Sequence, residues 1–123
     1  GPGSVLPRQD RMVLTTNAKL QEKLNQLVAL GAADDKEAFV RAFVPLDLTD
    51  EELKDYLDRL KTEDNEWQNL KAEIQAIAEG SNVKRIAGDQ VNHVVFHFQH
   101  PTLAQCDREV GFDCINDEWR AQG

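Results

Sequence analysis

A chain of 123 residues is long enough to bury one ordinary core without help from disulfides or metals. Its 22 Asp and Glu against 14 Lys and Arg leave a formal net charge of -8. With no Lys/Arg cluster as a local exception, that charge repels phosphate backbones and anionic surfaces and argues against nucleic acid as a partner. No apolar run approaches the roughly 20 residues needed to cross a bilayer, so no membrane insertion is expected.

Taken in order, Gly1-Pro-Gly-Ser4 reads as a scar left by removal of an expression tag, and the stretch that follows reads as a tether, so residues 1–16 stand outside the fold and 17–123 form a single α+β domain. Val5 is not preceded by an initiator Met, and the expectation is that an upstream segment has been cut away. A signal peptide or anchor is a common reason, which favours an exported protein, periplasmic or extracellular.

The first helix is expected within 15–30, where Leu20, Leu24, Leu27 and Val28 recur at helical spacing, with Gly31 as its stop. Asp34, followed three residues on by Glu37, predicts a carboxylate variant of the capping box. It opens a short helix that carries Phe39, Ala42 and Phe43 on one face and ends at Pro45. Thr49 and Glu52 form a full capping box ahead of the stripe Leu53, Tyr56, Leu57 and Leu60. Asp64 or Thr62 caps a fourth helix on which Trp67, Leu70, Ile74 and Ile77 recur until Gly80.

Beyond Gly80 the hydrophobic period drops from 3.6 to 2. A short first strand is expected over 82–86, although Val83 and Ile86 do not alternate, with a turn over 87–90. In the run 91–99, Val94, Phe96 and Phe98 share one face and His93, Val95, His97 and Gln99 the other. The run 106–114 repeats the split, with Val110, Phe112 and Cys114 opposed to Asp107, Glu109 and Asp113. If His100 faces Cys106, then Val94 faces Phe112, Phe96 faces Val110, His97 faces Glu109 and His93 faces Asp113. Asn116-Asp117 fits a two-residue hairpin turn, which sets Cys114 against Trp119 and Phe112 against Ala121. One register satisfies all three strands. The fold class is therefore α+β: about four N-terminal helices on one face of a C-terminal antiparallel meander of three to four strands.

Helices first and a meander last resembles the nuclear-transport-factor-two-like (cystatin-like cone) superfamily. The resemblance spans 31–122 and rests on Asp35-Lys-Glu-Ala-Phe-Val40 opening a helix, Gly88-Asp-Gln-Val-Asn-His-Val-Val95 entering a strand, and the terminal Trp119 strand. It implies a curved sheet wrapped on helices, frequent dimerisation through the outer sheet face, and a pocket between helices and sheet. Some relatives bind small molecules there and others are isomerases or dehydratases. None of the matching motifs is catalytic.

Candidate chemistry is sparse. Residues four apart on a strand lie roughly 13 Å apart, and His100 has the opposite parity to His93 and His97, so the three histidines cannot share one metal ion. Cys106 and Cys114 would stand roughly 26 Å apart in a continuous strand, too far for a disulfide, and are read as free thiols with Cys114 buried. No catalytic residue, metal or cofactor is assigned. A pocket between helices and sheet would be lined by Tyr56, Phe96, Arg108, Phe112 and Trp119, with Tyr56 and Arg108 the strong polar groups at inward positions, and would suit a small apolar ligand. The outer face, with His93, Val95, His97, Glu109 and Asp113, is the expected surface for a homodimer. The reading is a non-enzymatic small-molecule-binding or protein-interaction module, with an isomerase- or dehydratase-type enzyme as the alternative.

Overall fold

The structure, a computed structural model, describes residues 13–88 and 92–122. Four helices, α1 (Ala18–Ala32), α2 (Lys36–Phe43), α3 (Asp50–Thr62) and α4 (Asp64–Glu79), precede four strands, β1 (Val83–Ala87), β2 (His93–Gln99), β3 (Asp107–Ile115) and β4 (Glu118–Ala121). The strands form one antiparallel sheet in the order β1-β2-β3-β4. This is the α+β arrangement that the two hydrophobic periods imply.

The register between β2, β3 and β4 is the expected one, with Val94 opposite Phe112, Phe96 opposite Val110, His97 opposite Glu109, His93 opposite Asp113, and Cys114 opposite Trp119. Asn116 and Asp117 make the hairpin turn with φ of 54° and 64°, the left-handed pair that a turn of the primed type demands. The helices bury the face bearing Val94, Phe96, Phe98, Phe112 and Trp119. Phe96 and Phe112 meet edge-to-face at 6.0 Å, and Phe39 meets Trp67 the same way at 5.1 Å. Fully burying such aromatic side chains stabilises by about 1.5–3 kcal/mol each before the entropy of ordering them.

Several local expectations are corrected. Gly31 does not end α1, which runs on to Ala32; a Cβ at Gly31 would stand 3.3 Å from Cγ of Lys71, so the glycine serves close approach of α1 to α4. Asp35, not Asp34, caps α2, accepting from the Ala38 N–H, and Asp34 instead takes the left-handed turn at φ 56°. There its carboxylate accepts from Nε1 of Trp67 at 2.9 Å and from Nζ of Lys71 at 2.8 Å, and these bonds hold its pKa below the usual carboxylate range. The Thr49–Glu52 capping box is present as expected. Neither Asp64 nor Thr62 caps α4: Glu63 is the capping residue without a side-chain bond, and the Thr62 hydroxyl donates back to carbonyls of α3.

β1 starts at Val83, after Asn82 at φ 62°, and its pairing with β2 slips between Val83 and Arg85. That irregularity explains why Val83 and Ile86 do not alternate although Val83 is buried and Ile86 pairs with the inward Phe96. Asp89, Gln90 and Val91 lie outside the described residues. Cys106 precedes β3 rather than starting it. Both cysteines are free, and Cys114 is half-buried rather than fully buried.

Candidate functional site

Sequence spacing on two helices and one strand places a polar cleft at one edge of the core. On α3, Tyr56, Arg59 and Leu60 stand at i, i+3 and i+4; on α4, Glu66, Asn69, Leu70 and Glu73 stand at i, i+3, i+4 and i+7. Each set lies along one face of its helix. The two faces converge with Leu103, Cys106 and Arg108 around a cleft of about 360 Å³.

Glu73 anchors the deep end. It sits beside the core residue Ile74 and is only 7% exposed, so its charge needs partners. Oε2 accepts from Nε of Arg108 at 3.1 Å and lies 3.4 Å from Nε2 of His100. His100 keeps the parity of Val94, Phe96 and Phe98, which carries it to the buried side just past the end of β2. Its Nδ1 accepts from the backbone N–H groups of Thr102 and Leu103, both at 3.1 Å, so the ring proton resides on Nε2, facing Glu73. The loop after β2 thus folds around His100, whose Nε2 stands near Glu73 of α4 without a hydrogen bond among the described residues.

Arg108 is half-exposed, and only its Nε is engaged among the described residues; the two terminal nitrogens have no protein partner there. Arg59 and Glu66, by contrast, close on each other through two bonds of 2.7 Å, which lower the Glu66 pKa and raise that of Arg59. Burial, reinforced by the charges of Glu66 and Glu73, raises the Tyr56 pKa, so this cleft hydroxyl stays protonated at neutral pH and can donate.

The residues expected around a pocket therefore divide. Tyr56 and Arg108 line this cleft, whereas Phe96 and Phe112 are sealed in the core; Trp119 is buried, bordering a shallow depression beside α1. Glu73 and Asn69 were not singled out by sequence reasoning, and His100 and Cys106 were weighed there only as a metal ligand and a disulfide partner, not as parts of a cleft. The spacing of 66, 69, 70 and 73 sets those residues along one face of α4, and the parity unbroken from Val94 carries His100 to the apolar side, but neither signal by itself marks a cleft.

On the outer sheet face, His93 Nδ1 and Asp113 Oδ1 approach to 2.6 Å, whereas His97, although opposite Glu109, meets a guanidinium nitrogen of Arg85 at 3.3 Å. Val95 is half-buried opposite Gly111, over which the side chain of Gln122 is laid. A groove of about 540 Å³ runs between the α2–α3 connection and the β3–β4 hairpin, edged by Leu46 and Ile115, which are 51% and 56% exposed. Among the described residues, no group of three or more His, Cys, Asp or Glu is placed to hold a metal ion, and no helix is long and apolar enough to cross a membrane. Comparison of the chain with protein-family models, with curated proteins and with solved structures returned no match.

Proposed function

We propose that this chain is a non-catalytic binding module that takes up a small molecule in the cleft between α3, α4 and the loop joining β2 to β3. The observation that carries this reading is the buried Glu73, which holds Arg108 at the cleft wall through Nε and leaves its terminal nitrogens without partners among the described residues. A concave site with a few placed polar groups among apolar ones is the usual form of a small-molecule site. It also agrees with the cone-like resemblance, in which ligands lie between helices and sheet.

The alternative is an enzyme of isomerase or dehydratase type, favoured by one fact: Tyr56 and Glu73, a hydroxyl and a carboxylate able to exchange a proton with a bound substrate, line the same cleft. The His100 ring is enclosed and would act only through Glu73. Association of two copies through the outer face around Val95, or a protein partner over Leu46 and Ile115, would add a second contact surface to the module.

Cys106 provides the test, because it lines the cleft and is not fully buried. In a Cys114→Ala variant, alkylating Cys106 with N-phenylmaleimide should plug the cleft. Fragments that bind the unmodified variant by saturation-transfer NMR should then be lost. Fragments that bind equally well after plugging would place the ligand site elsewhere, with the groove beside Leu46 and Ile115 the first place to look.

A further inference from the structure

We infer that the cleft is built for a small carboxylate with an apolar body. This rests on the reading of the cleft as a ligand site and narrows it to a chemical class. Of the four charged side chains that line the cleft, Arg59 and Glu66 satisfy each other in a bidentate pair and offer a ligand little. The remaining two are unequal. Glu73 lies deep and has one oxygen committed to Arg108 and facing His100, whereas Arg108 is half-exposed and keeps both terminal nitrogens free of protein partners among the described residues. A molecule entering from solvent meets the open edge of a guanidinium whose plane is already held by Glu73. That edge matches the two oxygens of a carboxylate.

The protonated Tyr56 hydroxyl on α3 and the Asn69 amide on α4 add neutral donors to the lining of the same cleft. The rest of the lining is apolar. Leu60 is buried, Leu70 half-buried, and Leu103 is 46% exposed, an apolar side chain in the cleft lining that an apolar ligand body would cover. The volume of about 360 Å³ suits a ring or a short alkyl chain rather than a polymer. The net charge of -8 opposes any anion at long range, but over more than a Debye length of about 8 Å it is largely screened at physiological salt, so the local donors decide.

Benzoate and benzamide have the same shape and differ in the charge and acceptor pair that Arg108 would read. Backbone amide shifts of the ¹⁵N-labelled protein, titrated with each, should move at Tyr56, Asn69, Leu103 and Arg108 with benzoate, and roughly tenfold more weakly with benzamide. Arg108→Lys, which keeps a charge but loses the fork, should weaken benzoate by about the same factor while leaving benzamide unchanged. Benzamide binding in the cleft as well as benzoate would overturn the carboxylate inference and leave the cleft a ligand site. Binding of neither there would overturn both. The wild-type comparison stands on its own if Arg108→Lys fails to fold.

Discussion

Two polar clusters flank the same core and end differently. At one, Lys23 on α1 donates to the Ala42 carbonyl at 3.0 Å, and Arg120 on β4 donates to the carbonyls of Arg41 and Val44 while pairing with Glu118 at 2.7 Å. The last turn of α2 leaves carbonyls without helical partners, and two cations satisfy them. At the other, Glu73 holds Arg108 by Nε, and Arg108 lines the cleft with its terminal nitrogens unpartnered among the described residues. Arg120 spends its terminal nitrogens on backbone carbonyls and Glu118, with only its buried Nε unpartnered among the described residues, and acts as a structural clamp; Arg108 keeps both terminal nitrogens unpartnered there, which is what the proposed site rests on. The two arginines differ in kind even though both stand on strands of one sheet.

Stability measurements can break or sharpen that contrast. The yardstick is the core: Phe96→Ala should cost about 3–5 kcal/mol in chemical denaturation, since it empties a fully buried aromatic site between Phe112 and the helices. Arg120→Ala should come next, at about 1–3 kcal/mol, because it strands carbonyls at the α2 terminus. Arg108→Ala should cost less, about 1 kcal/mol, because Arg108 is half-exposed and water can take its place beside the buried Glu73 carboxylate. If Arg108→Ala proved as costly as Arg120→Ala, both clusters would be structural.

The smallest effect concerns acid. Asp34 has a depressed pKa in the folded state, so its contribution is fully present above its unfolded value of about 4 and is lost as pH falls through the lower folded value. Asp34→Asn keeps a residue that tolerates φ 56° while removing the charge. Thermal unfolding between about pH 5 and pH 2.5 should show a shallower acid decline in this variant than in wild type. Equal slopes would assign the acid response to other carboxylates, such as Glu52 and Glu66, whose pKa values are also lowered.

Much of the fold was legible because the two hydrophobic periods do not overlap. Phe96, Phe112 and Trp119 had to share a face, and Asn116-Asp117 had only one tight turn to make. The start of α2 was misplaced by one residue because Asp34 and Asp35 are both competent caps, and only the tertiary bonds from Trp67 and Lys71 assign Asp34 to the turn. The site was half legible. Tyr56 and Arg108 stood out as polar residues on apolar stripes, but Glu73 lies one residue off the stripe of Trp67, Leu70, Ile74 and Ile77 and reads as solvent-facing. Its partners, His100 and Arg108, reach it from the end of β2 and from β3, long-range contacts that helical periodicity does not encode.

The central claim is that Glu73 positions Arg108 for a ligand, and benzoate affinity in Glu73→Leu tests it most directly. If Glu73 acted only as a nearby negative charge, removing it would strengthen the binding of an anion. If it holds the guanidinium in place, removing it lets Arg108 swing and sacrifices the preorganised edge. The account predicts weaker benzoate binding in Glu73→Leu, by roughly threefold to tenfold. Binding should largely be retained in Glu73→Gln, whose carbonyl can still accept from Nε of Arg108. Tighter binding of benzoate to Glu73→Leu than to wild type would contradict it.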